Sequence, residues 1–318
     1  MEYTRLGNSD LNVSRLCVGC MSFGEPVGHA WTLNPEESEI LVKRALDLGI
    51  NFFDTANIYA GGTSEEYLGR AIKNNITRDK VVIATKVHFN EGKLSKAAIL
   101  REIDSSLERL GMDYVDLYII HRFDYGTPIE ETMEALDSLI KAGKVRAIGA
   151  SAMYGYQFHN MQLAAEKHGW NKFVSMQNHY NLLYREDERE LIPICKQQNV
   201  ALTPYSPLAA GRLSRLEWNA DTMRSQTDKT AVSKYDSTQE TDYTIVLRVD
   251  ELAKKYDATM SQIALAWQFA KGVTAPIVGA TKAKYFDDAV GALTIKLSEE
   301  DIASLEELYV PHRIVGAL

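Results

Sequence analysis

Four residues in three separate segments could carry out one reaction together. The stretch NFFDTANIYAGG at 51–62 ends an apolar run on Asp54 and carries Tyr59 five positions later, VVIATKV carries Lys86, and LYIIHRFD carries His121. Each has an ordinary reading when taken alone. An aspartate after a strand caps the next turn, a lysine at a strand end is a solvated rim charge, a histidine is a satisfied core residue, and a tyrosine packs on a loop. Together they hold the parts for proton donation to a polarised oxygen. A phenol with its ordinary pKa of about 10 gives up a proton reluctantly at neutral pH. Lys86 would favour the phenolate and lower that pKa, while Asp54 holds the ammonium and offsets its burial. His121 would then donate to a carbonyl oxygen and orient it.

What positions them is an alternation of amphipathic helices with short apolar runs. The junctions LDLGINFFDT, ERLGMDYVDLYIIH, IKAGKVRAIGAS and EKHGWNKFVSMQN each read as a helix end, a glycine and a strand. Gly49, Gly111, Gly143 and Gly169 stand where a helix end wants a left-handed residue, and Asn199 can serve in the same way. The runs RLCVGC, INFFD, KVVIAT, VDLYII, VRAIGA, FVSMQ, VALTPY and APIVGA are continuously apolar, as in a parallel sheet covered by helices. Eight of them predict an α/β fold, a (β/α)8 TIM barrel, as a single domain over 1–318. The opening EYTRLGNSDLNVSR reads as an N-terminal β-hairpin, and an extra C-terminal helix follows the last strand. From Leu213 to Thr241 the chain is polar and weakly periodic, so a long loop with a short helix is expected. The strand ends carry Asp54, Lys86, His121, Ser151, Gln177, Asn178, Tyr205, Ser206, Gly279 and Thr281. In a closed parallel barrel these ends meet on one face, the face barrel enzymes use for chemistry.

Composition excludes several classes. A formal net charge of -8 without a Lys/Arg run argues against nucleic acid as a partner. No apolar stretch has the ~20 residues of a membrane span and the N-terminus has no apolar h-region, so a cytoplasmic protein is expected. Cys17, Cys20 and Cys195 are too few and scattered for a disulfide framework, and the C-x-x-C lies in a strand exit, which reads as core packing. No metal is expected, because only Asp54 and His121 could ligate at the strand ends and Lys86 would compete. Oligomeric state leaves no sequence signal.

The phrases GINFFDTANIYAGGTSEEYLGRA, VVIATKV, DYVDLYIIHRFD, KVRAIGAS, SMQNHYNL, PYSPLAAGRL and PIVGATKAKYFDDAV resemble, in order and spacing, the signature blocks of the aldo-keto reductases over nearly the whole chain. GEPVGHAWTL, SMQNHYNL and PHRIVG look closest to a bacterial, YajO-like branch. The resemblance implies hydride transfer from NADPH to a small-molecule aldehyde or ketone, with Tyr59 as proton donor, Lys86 and Asp54 tuning it, and His121 at the carbonyl oxygen. It further implies a cofactor site that includes Cys20, Met21 and Asp54. Ser151 and Gln177 would bind the nicotinamide carboxamide, and Tyr205 would stack on its ring. Backbone at Ser206, Pro207 and Leu208 would approach the pyrophosphate, with Gly211 allowing close passage and Arg212 or Arg215 adding charge. Gly279, Thr281, Lys282, Tyr285 and Asp288 would hold the adenosine end, Thr281 and Lys282 facing a 2′-phosphate and Asp288 the adenine amine. Arg215, Arg224, Lys229 and Lys234 in the polar stretch would add charge over the dinucleotide. Ala152, Tyr285 and Ala289 depart from the family pattern, which removes one amide contact and alters the adenine contacts. Met21, Trp31, Tyr59, Phe89 and Phe123, with His88 and Arg122, are expected to line the substrate pocket. A redox-sensing regulatory subunit with little turnover is the alternative reading. A short-chain dehydrogenase is not expected, since no tyrosine has a lysine four positions on.

Overall fold

An antiparallel hairpin, β1 (Tyr3–Arg5) and β2 (Asn12–Ser14), leads into eight parallel strands. These are β3 (Cys17–Gly19), β4 (Phe52–Asp54), β5 (Val82–Val87), β6 (Val115–Ile120), β7 (Val145–Ser151), β8 (Ser175–Gln177), β9 (Ala201–Leu202) and β10 (Ile277–Gly279). The computed structural model describes residues 1–27, 30–218 and 227–315. Neighbouring strands pair in chain order, and β10 pairs with β3. The ring is completed between β9 and β10 by backbone bonds, in which Leu202 O accepts from Thr274 N at 2.9 Å and Pro204 O from Ile277 N at 3.0 Å. The fold is therefore a (β/α)8 barrel. Glu299–Glu306 is the additional C-terminal helix.

Local sequence explains the helix boundaries. Helix Pro35–Asp47 starts with proline in its first turn and a reciprocal cap, Glu37 N donating to Asn34 Oδ1 at 2.9 Å and Asn34 N to Glu37 Oε2 at 3.0 Å. Gly111 and Gly169 end their helices with φ of 61° and 68°, as the junction pattern predicts. The polar stretch at 213–241 is more ordered than expected at its end. It contains helix Lys229–Tyr235, and its last three residues already belong to helix Gln239–Lys255. Arg224 lies outside the described residues.

Alternation along each strand separates two cores. Cys17, Phe52, Val82, Ala84, Leu117, Ile119, Ala147, Ala201 and Ile277 point into the barrel, where Leu6, Leu11 and Val13 of the hairpin plug its floor. Val18, Phe53, Ile83, Tyr118, Ile148, Met176 and Val278 face the helices. All three cysteines are free and buried, consistent with packing.

Close helix contact makes one glycine irreplaceable. A Cβ on Gly69, in helix Thr63–Asn75, would lie 2.1 Å from the carbonyl oxygen of Leu110, at the end of helix Lys96–Leu110. Helix propensity alone gives Gly→Ala a gain of up to about 1 kcal/mol, whereas forcing two backbones apart costs about 1–3 kcal/mol. Gly69→Ala should therefore lower the apparent Tm by a few degrees in a thermal melt; an unchanged or higher Tm would show that the two helices can slide apart freely.

Candidate active site

One further inward step along each strand gives the upper rim of the barrel. Asp54 follows Phe52, Lys86 follows Ala84, His121 follows Ile119, Ser151 follows Gly149, Gln177 follows Ser175, and Gly279 follows Ile277. Gly149 is required one layer below, since a Cβ there would meet Ser175 Oγ at 2.4 Å. The polar strand ends thus converge because the period of two places them on the same inner wall.

Lys86 is the centre of this cluster. Its side chain has no exposed surface, and its ammonium donates to Asp54 Oδ2 at 2.6 Å, to Thr55 O at 2.7 Å and to Tyr59 Oη at 3.1 Å. Three acceptors match its three protons. Asp54 Oδ1 also accepts from Gln177 Nε2 at 2.8 Å. Because the Tyr59 oxygen accepts from Lys86, its own proton is left to point elsewhere. The Tyr59 ring sits edge-on to His121 with centroids 5.7 Å apart, and Phe89 packs on the same imidazole at 5.0 Å. Tyr59 and His121 are both partly exposed, whereas Asp54 and Lys86 are buried.

Electrostatics divide the roles. Burial pulls the Lys86 ammonium down, but Asp54 and Tyr59 together hold it above its ordinary value. Burial raises the Asp54 carboxyl, against Lys86 and Gln177. Tyr59 departs from the sequence expectation: burial raises its phenol above the ordinary value even though Lys86 lowers it. The hydroxyl is thus held protonated, with the Lys86 ammonium beside it as the one group that favours a phenolate most strongly. His121 is well below its ordinary value through burial, then Lys86, Arg122 and His88, so the ring is neutral and retains one N–H to donate.

The neighbouring wall is a stack of rings. His179 lies between Tyr205, 5.1 Å away at 9°, and Tyr184, 4.2 Å away at 14°. Its Nε2 is 2.7 Å from Tyr235 Oη, which also accepts from Asn181 Nδ2 at 3.1 Å. Tyr235 ends helix Lys229–Tyr235 and is buried, so the end of the polar stretch is anchored onto the site. His179 and Asn181 lie in SMQNHYNL, but single-chain spacing gave them no role.

The other residues with an expected role are placed as follows. Ser151 Oγ donates to Gln177 O at 2.8 Å. Ala152 has a φ of 45°, a left-handed conformation costing about 1–2 kcal/mol for a residue other than glycine or asparagine. Ser206, Ala209, Ala210 and Gly211 also have positive φ, and the Ser206 carbonyl accepts from Asn181. Leu208 lies within this segment, and the adjoining crevice is lined by Ala210, Gly211, Arg212, Arg215 and Trp218 opposite Asp228, Ala231, Val232 and Asp236. Arg212 pairs with Asp236 and lies over Trp218, so its charge is already engaged, whereas Arg215 donates to Gly211 O at 3.3 Å. Gly279 pairs with Gly19, leaving a flat backbone step at the rim. Thr281, Lys282 and Tyr285 are exposed, and Asp288 accepts the Thr259 hydroxyl at 2.8 Å. Met21 and Phe123 are partly exposed and Phe89 exposed, but Trp31 is buried, which limits its part in a pocket wall. The Cys20 side chain is buried in the outer core. Among the described residues no His/Cys/Asp/Glu cluster could hold a metal ion and no helix is long and apolar enough to cross a membrane.

The family model described as Aldo/keto reductase family matches residues 15–310. The chain belongs to this family. It is 43% identical to the versiconal hemiacetal acetate reductase of Aspergillus parasiticus, covering 99% of this chain and 98% of that protein. It is 44% identical, over 99% and 98% of the two chains, to a Schizosaccharomyces pombe protein provisionally named an aryl-alcohol dehydrogenase. An aldo-keto reductase of Alternaria alternata is 41% identical over 96% and 91%. These relatives support oxidoreductase activity. They are fungal, so the expected bacterial YajO-like branch is not supported; the loop phrases that suggested it do not define a branch.

A half-buried acid beside the site should be visible in pH stability. Asp187 accepts from Asn178 Nδ2 at 3.0 Å, and burial pushes its carboxyl up to about 7, against the Asn178 bond. A carboxyl raised on folding binds more protons in the native state, so its contribution is present below about pH 4 and is lost as pH rises through 7. Asp187→Asn should flatten the fall of Tm between pH 5 and 8, measured by differential scanning fluorimetry; a wild-type slope in the variant would contradict this assignment.

Proposed function

We propose that this aldo-keto reductase is an NADPH-dependent carbonyl reductase with Tyr59 as proton donor. The observation that supports it most is the triple hydrogen bonding of buried Lys86 to Asp54, Thr55 and Tyr59, with neutral His121 beside the phenol. The residues present suit a dinucleotide. Tyr205 offers a ring already backed by His179, the left-handed run at 209–211 brings backbone close to the crevice, and the Gly19/Gly279 step leaves room at the rim. Ser151 and Gln177 would hold the carboxamide, Ser206, Pro207, Leu208 and Gly211 the pyrophosphate, and Thr281, Lys282, Tyr285 and Asp288 the adenosine end. Bound there, the cofactor supplies the hydride.

The protein's own residues handle the proton and the oxygen. His121 donates its single N–H to the substrate carbonyl oxygen and fixes its direction. Tyr59 would give that carbonyl oxygen its proton and be left as a phenolate. Lys86, already bonded to the same oxygen, stabilises that phenolate, and Asp54 keeps the ammonium charged and in place. The names of the relatives and the exposed rings at Phe89 and Tyr125 favour aromatic aldehydes, with the corresponding alcohols in reverse.

Two outcomes test the reading. Tyr59→Phe should lower kcat for an aromatic aldehyde by about 100-fold or more while NADPH Kd stays within twofold, since only the hydroxyl is lost; near wild-type turnover would remove Tyr59 as donor, and NADPH binding without turnover in the wild type would favour a redox-sensing subunit. Lys282 is exposed in the block assigned to the adenosine end, and a charge-assisted contact to a 2′-phosphate is worth roughly tenfold to a hundredfold. NADPH should therefore bind at least tenfold tighter than NADH, and Lys282→Ala should erase most of that ratio in fluorescence titrations. Equal affinities in the wild type would refute the preference.

A further inference from the structure

The three stacked rings beside the site have little freedom to move. His179 forms a parallel backbone bridge with Tyr205, whose amide donates to Asn178 O at 3.0 Å. Its imidazole lies flat between Tyr205 and Tyr184, at 9° and 14°. The two covered faces prevent tilting, and the bond between Nε2 and Tyr235 Oη at 2.7 Å opposes rotation of the ring in its own plane. Nδ1 is buried without a hydrogen-bond partner among the described residues, which is unfavourable, so polarity on both sides of the ring does not explain its place. Burial keeps the imidazole neutral, and Lys234, Arg122 and His312 act in the same direction. The position provides a flat, uncharged backing for one face of Tyr205, which is itself partly exposed.

The outer ring of the stack is fixed by the segment 307–315, which follows the last helix. Asn181 and Tyr184 close a turn through backbone bonds of 3.1 and 3.0 Å, which folds Tyr184 back onto His179. Tyr184 is buried, accepts from Val315 N at 3.2 Å and stands edge-on to His312 with centroids 6.2 Å apart. The segment is pinned around that contact. Glu186 Oε1 accepts from the Tyr309 hydroxyl and from His312 N, each at 2.7 Å, and Arg185 N donates to Tyr309 Oη at 2.8 Å. His312 Nε2 lies 2.9 Å from Asp242 Oδ1, both side chains being buried. Tyr309 and His312 also stack on each other, 5.5 Å apart at 13°. Packed rings and hydrogen bonds therefore run without a break from residues 309–315 through Tyr184 and His179 to Tyr205.

We propose that His179 is a positioning residue for hydride transfer: the segment 307–315, acting through Tyr184, holds its ring against Tyr205 and so fixes the plane on which the nicotinamide rests. This deepens the carbonyl-reductase reading and rests on it for the hydride and for the role of Tyr205. A misplacement of about 1 Å at a reacting centre costs on the order of 100-fold in rate. Affinity should respond far less, because in the assigned site the phosphates and the adenosine end hold the dinucleotide.

Two measurements test the role: single-turnover oxidation of NADPH by saturating benzaldehyde, and the fluorescence lifetime of bound NADPH without aldehyde. His179→Leu removes the flat backing and should slow the hydride step by about tenfold or more, move the bound lifetime toward that of free NADPH, and leave NADPH Kd within about threefold. His179→Phe restores a flat ring and should recover rate and lifetime to within about threefold of wild type. His312→Ala should act in the same direction to a smaller degree and cause no further loss in the His179→Leu background, because both lie on one path. Where His179→Leu does not fold, Tyr184→Leu removes the stack from the other side and carries the same expectations. Wild-type rate and lifetime in the leucine variant would overturn the proposal, as would a loss that His179→Phe does not recover or additive losses with His312→Ala. A fall in NADPH affinity equal to the fall in rate would also overturn it, by making His179 a support for binding rather than for geometry. A wild type that binds NADPH but reduces no aldehyde would count against the reductase reading alone, and the lifetime series would then decide the positioning role. Absence of NADPH binding would overturn both.

Discussion

A fully buried lysine ammonium is costly, and the arrangement around Lys86 follows from meeting that cost. Removing such a charge from water is unfavourable by several kcal/mol unless geometry and hydrogen bonding compensate. Here Asp54, the Thr55 carbonyl and Tyr59 each accept one of its three protons. That requirement places β4 beside β5, turns the Thr55 carbonyl inward and fixes the turn carrying Tyr59. It also bears on the proposed chemistry, because a phenol oxygen that already accepts a bond from an ammonium is favoured as an anion. The bond that satisfies Lys86 is the same one that, in the proposed reaction, would stabilise a Tyr59 phenolate.

The turn bearing Tyr59 is held from several directions. Ala60, Gly61 and Gly62 have φ of 49°, 66° and 99°, and the helix after them is tied down by its first residues. Ser64 Oγ donates to Cys20 O at 2.8 Å, and Glu65, with no exposed surface, accepts from Arg109 Nε at 2.6 Å and from the Thr85 hydroxyl. Thr85 neighbours Lys86 on β5. A buried carboxylate one layer behind the site thereby links the strand that carries the cation to the helix that fixes the phenol.

Backbone conformation is spent unevenly. Apart from Asn199 and Asp257, which end helices, the described non-glycine residues with positive φ are Ala60, Lys93, Ala152, Ser206, Ala209 and Ala210, all on loops that follow barrel strands. Such positions cost free energy and persist where surrounding structure determines them. The opposite face of the barrel, plugged by Leu6, Leu11 and Val13, shows the complementary pattern of apolar packing. Stability is concentrated at the floor and conformational strain at the rim.

Much of this was legible in the sequence. The glycine-terminated helices, the eight apolar runs and the polar residue at each strand end are local properties, encoded by propensity, capping and side-chain period. They determine the barrel and nominate Asp54, Tyr59, Lys86, His121, Ser151 and Gln177, because closure of a parallel ring leaves those residues one place to go. Other features belong to the tertiary structure. Whether burial or Lys86 dominates the Tyr59 phenol depends on the water excluded around it, and burial prevails. Arg212 looks like a free phosphate ligand in sequence, yet Asp236, 24 positions away, has already engaged it. His179, Tyr235 and Lys234 acquire their positions around Tyr205 only when the segment after β9 folds back onto the barrel. A sequence specifies which groups are available and on which face of an element they stand, but pKa values and ion-pair partners depend on distances that exist only once the ring has closed.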